Sequence, residues 1–153
     1  GQALGGTTLA LGQGLLLLLL APLLGIPLSI SSVLAVVGVM FFMGFGLTSL
    51  GLVIAWRMDS TQGFHAIMNL ILIPLWLLSG AFFPAAGVPP WLAWAMRLDP
   101  LTYSVAALRR TLYLGNAAAA GTVPPLAASL VITVLFALLA FLAATGVARR
   151  SAP

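Results

Sequence analysis

The sequence predicts an all-α membrane protein with four transmembrane helices and two short extracytoplasmic interfacial, or re-entrant, helices. Hydrophobic residues make up 62% of the 153-residue chain and charged residues only 5%, against about 25% charged in soluble domains. The charges fall at Arg57/Asp59, Arg97/Asp99, Arg109/Arg110 and Arg149/Arg150. An arginine at the centre of a membrane helix costs about 2.5 to 3.5 kcal/mol, so these positions mark exits from hydrocarbon. Four runs, residues 8–28, 33–56, 64–83 and 125–148, reach the length of about 20 apolar residues that a spanning helix needs.

The first run is dense in leucine and is closed by Pro22, Gly25 and Pro27, which end a helix, before Ser29, Ser31 and Ser32 turn the chain. In the second, Gly44, Thr48, Gly51 and Ala55 repeat at helical spacing, a small-residue stripe that lets backbones approach closely in lipid. The polar segment WRMDSTQGFH then places Arg57, Asp59, Ser60, Thr61 and Gln62 at a membrane surface. The third run carries Asn69, which seeks a partner on a neighbouring helix, and Pro74, which removes one backbone hydrogen bond and bends the helix. It ends on LLSGAFFP, where Ser79 and Gly80 allow a backbone break, Phe82 and Phe83 suit the membrane boundary, and Pro84 stops the helix.

Residues 84–123 are too polar to span and too apolar for an ordinary loop. Pro90 opens a short helix whose Trp91 and Trp94 suit the headgroup zone. Asp99 is placed to cap a second helix with Pro100 in its first position, and Leu101, Val105, Leu108 and Leu112 fall on one face of it. Gly115 stops this helix. The last run carries the stripe Ala137, Ala140, Ala144 and Ala148 and ends at Arg149/Arg150. Arginine counting alone is a draw, with Arg57, Arg149 and Arg150 on one side and Arg97, Arg109 and Arg110 on the other. The first three flank spans directly, however, which favours the cytoplasm for the chain ends and the Arg57 connection.

The residue inventory narrows function. Without cysteine there is no disulfide or thiolate metal site. Without lysine no Walker A loop can form, so nucleotide hydrolysis belongs to another polypeptide or another segment. The single histidine, His65, lies fourteen positions from Ser79 on one run, roughly 21 Å along a helix, too far for a catalytic pair. Asp59 and Asp99 occupy different surface segments, so acid-base catalysis and hard-cation binding lack support. A net charge of +4 spread over four sites makes no basic face for nucleic acid. No ionisable residue sits in mid-span, which favours a lipid-like or amphipathic cargo over a bare ion.

The segments NLILIPLWLLSGAFFP and PPWLAWAMRLDPLTYSVAALRR together resemble the C-terminal half of ABC-2 type permeases, the membrane subunits of type-2 ABC exporters. The shared features are the proline-containing span ending in LSGAFFP, the Pro-Trp-Leu helix start, and the DPLTY run four residues ahead of Leu-Arg. The opening ALGGTT, followed by QG and leucines, is similar to the exit from the family's cytoplasmic coupling segment. The resemblance implies that spans three to six of a six-helix permease domain are present, with two helices expected in a preceding segment. It implies an integral protein of the bacterial or archaeal cytoplasmic membrane that pairs with a second permease copy and docks a separate ATP-binding subunit. It needs no cofactor of its own. It further implies that Arg57, Asp59 and Gln62 contact the ATP-binding subunit and that Pro74, Ser79, Gly80 and Pro84 form a bend and gate. Trp91, Asp99, Pro100, Tyr103 and Arg109 would form the re-entrant motif. The alternative reading is a membrane scaffold or assembly factor that transports nothing.

Overall fold

Local sequence accounts for most helix ends in the computed structural model, which describes residues 1–84 and 86–150. Its six α-helices are α1 (Gln2–Leu18), α2 (Ile30–Ala55), α3 (Thr61–Leu78), α4 (Pro90–Leu98), α5 (Pro100–Leu112) and α6 (Leu126–Arg150). Of these, α2, α3 and α6 are each long and apolar enough to cross a membrane. Ser29 caps α2 by accepting from the Ser32 amide at 3.1 Å, and Ser60 caps α3 by accepting from the Gly63 amide at 3.1 Å.

The first span departs from expectation, since α1 covers Gln2–Leu18 and not residues 8–28. At its start the threonines do not resist helix formation, because Thr7 and Thr8 donate back to the carbonyls of Ala3 and Leu4 at 2.7 and 2.8 Å. At its end Pro22 brings no N–H, the chain tightens into a 3-10 turn at Ala21–Leu24, and Gly25 closes it with φ at 77°. Seventeen residues of α-helix reach about 25 Å, short of a hydrocarbon core of about 30 Å, so three of the described helices, not the expected four, have the length and apolarity to cross a membrane. The third span also ends earlier, at Leu78.

The helices alternate in direction. The start of α1 (Gln2, Ala3), the end of α2 (Leu52, Trp56) and the end of α6 (Ala144, Ala148) line one hollow. The starts of α2 and α6 meet the end of α5 at the opposite end. Arg57 and Arg149/Arg150 therefore lie at one end of the bundle, and Arg97, Arg109 and Arg110 at the other.

The core is built from small residues. The buried positions of α6 are Ser129, Thr133, Ala137, Ala140 and Ala144, while Leu135, Leu138, Leu139 and Leu142 point outward. Lipid solvates leucine as well as a protein interior does, so close backbone packing determines what faces inward. The predicted stripe on α6 is thus realised through Ala144, with Ala148 half-buried. The stripe on α2 divides: Gly44 faces Thr7 and Ala10 of α1, whereas Gly51 faces Met68 of α3. At Gly46 the approach reaches backbone: a Cβ there would lie 2.8 Å from the Phe136 ring and 3.2 Å from the Ala137 Cα on α6. In contrast, α3 has no buried residue, and both Asn69 and Pro74 are exposed.

Candidate functional site

The end of α3 is made by its own residues. The Ser79 hydroxyl donates to the Trp76 carbonyl at 2.6 Å, and Gly80 takes the left-handed conformation with φ at 78°, where a side chain would be strained. The Trp76 and Phe82 rings then pack edge to face at 4.4 Å. Phe82, Phe83 and Pro84 are exposed. This is the break expected from LLSGAFFP.

The short helices follow their proline signals. Pro90 and Pro100 sit at the starts of α4 and α5, where their missing N–H groups cost nothing. Trp91 and Trp94 are exposed on α4, and Met96 turns inward. Asp99 caps α5 by accepting from the Leu101 amide at 2.9 Å, and its other oxygen accepts from the Thr102 hydroxyl at 3.4 Å. It is only 3% exposed. Burial raises its pKa from 3.8 to about 6, against the opposing pull of the Leu101 amide and the Thr102 hydroxyl. The residue lies in the α4–α5 connection, outside the membrane-spanning helices.

Side chains of α5 join this region to both flanking spans. Thr102 donates to the Leu78 carbonyl at 3.0 Å, and Arg109 donates to the Gly80 carbonyl at 3.0 Å. Both bonds reach the C-terminal end of α3, whose last carbonyls have no helical donors of their own. Arg110 holds the approach to α6, with Nε donating to the Pro124 carbonyl at 2.7 Å and the guanidinium NH2 to the Val123 carbonyl at 2.8 Å. Tyr103 donates to the Arg97 carbonyl at 3.0 Å and ties α5 back to α4. A cavity of about 160 Å³ lies among Ser79, Gly80, Met96, Thr102, Arg109 and Val123.

The inward face of α5 differs from the expected row. Leu101, Ser104, Ala107 and Thr111 are buried, whereas Val105, Leu108 and Leu112 are only half-buried. The reason is the approach to α6: Ser104 and Thr133 hydroxyls meet at 3.1 Å, a distance that larger aliphatic side chains would prevent.

Arg57, Asp59 and Gln62 are exposed at the opposite end, on the connection from α2 to α3. The residues singled out in the sequence therefore form two groups, joined by α3. Pro74 lies between them, inside a helix that runs on to Leu78. His65 packs edge-on against Phe64 near the start of α3, while Ser79 caps its far end. Sequence reasoning missed the acceptors of Arg109 and Arg110 because backbone carbonyls leave no mark in side-chain spacing. It also missed Gly46, whose near neighbours lie about 90 positions away on α6.

The family model for ABC-2 type transporters matches residues 1–113, which run from α1 through α5. Comparison with curated proteins and with solved structures finds no match. A helical chain with membrane-spanning helices and this extended match belongs to the ABC-2 type transporter family, and so to the membrane-embedded component of an ABC transporter.

Proposed function

We propose that the chain forms part of the export pathway of an ATP-driven transporter and transmits the work of a separate ATP-binding subunit to an outer gate. The observation that carries this reading is the connectivity of α3. One end continues from an exposed turn bearing Arg57, Asp59 and Gln62, and the other is bonded to α5 through Thr102 and Arg109. Because α3 buries no residue of its own, it is free to move between those two attachments as a rod jointed at Pro74.

In this mechanism the ATP-binding subunit docks on the turn, with charge of both signs available for recognition. Closure of that subunit displaces the start of α3, and the rod carries the displacement to Ser79 and Gly80. The Gly80 carbonyl and Arg109 then separate or re-form as the gate opens and closes. Pro74 leaves the Leu70 carbonyl without its usual helical donor and so lowers the cost of bending the rod. A second permease copy faces this one across the pathway. The cargo is amphipathic or hydrophobic, in keeping with walls that carry no mid-span charge.

The test is reconstitution of the full-length membrane subunit with its ATP-binding subunit in proteoliposomes. Reversing the turn charges with Arg57→Glu and Asp59→Arg together is expected to weaken co-purification of the two subunits and to abolish cargo-stimulated ATP hydrolysis. Unchanged assembly and unchanged stimulation would refute the docking role. A membrane subunit that purifies without any ATPase would refute the export reading itself.

A further inference from the structure

Two hollows adjoin at the end of the bundle that carries α4 and α5, with Leu114 and Leu126 as shared walls. The first, about 320 Å³, is lined by Arg110, Tyr113 and the backbone around Gly115 and Ala117. The second, about 340 Å³, lies between α2, α5 and α6 and is wholly apolar, walled by Ala35, Gly38, Phe42, Leu130 and Val134. Two threonines also line it, but their hydroxyls are committed elsewhere. Thr111 donates to the Ala107 carbonyl at 2.8 Å, and Thr133 donates to the Ser129 carbonyl at 2.8 Å. Each hollow is near the lower end of ligand-pocket sizes, about 300 to 1,000 Å³.

The first hollow is built for an anion. Arg110 is held in place by the Pro124 and Val123 carbonyls. Those bonds use two of its five N–H donors, and the rest have no acceptor among the described residues. The Tyr113 hydroxyl likewise has no hydrogen-bond partner among them. No carboxylate lines either hollow, and Asp99 caps the opposite end of α5. An oriented guanidinium with a phenol beside it suits a phosphate oxygen.

We infer that the paired hollows hold one anionic phospholipid of the surrounding leaflet, its phosphate on Arg110 and Tyr113 and an acyl chain in the slot between α2 and α6. The volumes favour a lipid chain over a protein segment: a single helical turn about 10 Å across and about 5.4 Å long fills about 420 Å³, more than the second hollow at about 340 Å³. The pairing of a wholly apolar slot with a cationic mouth is also the polarity profile of a phospholipid. Bound there, the lipid cements the α5–α6 loop that Arg110 organises, without taking part in the α3 connection.

Native mass spectrometry of the full-length membrane subunit with its ATP-binding partner tests this. The probes are phosphatidylglycerol and phosphatidylcholine with identical acyl chains. The wild-type protein is expected to retain phosphatidylglycerol about tenfold better, the factor expected for one charge-assisted contact. Arg110→Gln removes the preference. Gly38→Phe fills the slot and removes retention of both lipids while leaving the Arg110 bonds intact, since a Cβ at Gly38 meets nothing within 4 Å. Equal retention of the two lipids by the wild type overturns the proposal, as does unchanged retention in Gly38→Phe. Displacement of the lipid by a transported amphiphile during turnover also overturns it and makes the hollows a cargo site.

Discussion

Replacing Asp99 by asparagine separates the capping role of this side chain from its charge. The residue is 3% exposed, and its pKa is raised from 3.8 to about 6 by burial. Between about pH 4 and pH 6 the folded chain therefore holds a proton that the unfolded chain has released. Stability consequently falls as pH rises through this window, and the loss is complete above the folded pKa. The change from 3.8 to about 6 corresponds to about 3 kcal/mol, at about 1.4 kcal/mol for each factor of ten in proton concentration. Asparagine keeps the oxygen that accepts from the Leu101 amide at 2.9 Å. Its amide replaces the oxygen that faces the Thr102 hydroxyl at 3.4 Å, and that hydroxyl already donates to the Leu78 carbonyl at 3.0 Å. Denaturation of the purified full-length subunit at pH 4, 6 and 8 should show the wild type losing stability with rising pH. Asp99→Asn should show little dependence and exceed the wild type at pH 8. Asp99→Ala should be equally flat with pH and lie about 1 kcal/mol below Asp99→Asn throughout, the usual worth of an N-cap. A wild type that gains stability from pH 4 to pH 8 in step with ionisation of this residue, with Asp99→Asn flat, would refute the argument from burial.

Three further substitutions probe packing and the proposed coupling. Gly46→Ala forces a Cβ to within 2.8 Å of the Phe136 ring and 3.2 Å of the Ala137 backbone, and should cost about 1 to 3 kcal/mol in thermal unfolding. Gly38→Ala, which meets no atom within 4 Å, should be neutral or stabilising by up to about 1 kcal/mol. Equal melting of these two variants would contradict the close α2–α6 approach. Arg109→Ala removes the bond to the Gly80 carbonyl and is expected to lower export about tenfold with assembly intact. Arg109→Lys should recover part of that loss, and wild-type export by the alanine variant would remove Arg109 from the gate. Pro74→Ala supplies the missing helical N–H and should stiffen α3, reducing export and coupled ATP hydrolysis together. If both stay at wild-type values, the bend has no role in transport.

Features governed by near neighbours were legible in the sequence. Asp99 and Pro100 announced the start of α5 because a cap and a first-turn proline act within three residues. Ser79 and Gly80 announced the end of α3 for the same reason, through one local hydroxyl bond and one positive φ. The alanine stripe on α6 was readable because helical geometry places Ala137, Ala140 and Ala144 on one face. The start of α1 was misplaced because polarity by itself does not show that Thr7 and Thr8 satisfy their hydroxyls within the helix.

By itself the sequence determined that this is a helical membrane protein, where its chain reverses, and which residues sit at its two ends. Scarce charge and long apolar runs are one-dimensional quantities, and the cost of burying charge in lipid converts them directly into topology. Only the tertiary structure decided which glycine meets the backbone of a facing helix, which face of α5 turns inward, and which carbonyls receive Arg109 and Arg110. Those choices depend on the distance between backbones far apart in the chain. In a bundle surrounded by hydrocarbon, where leucine is as well solvated outside as inside, that distance decides what is buried more than apolarity does.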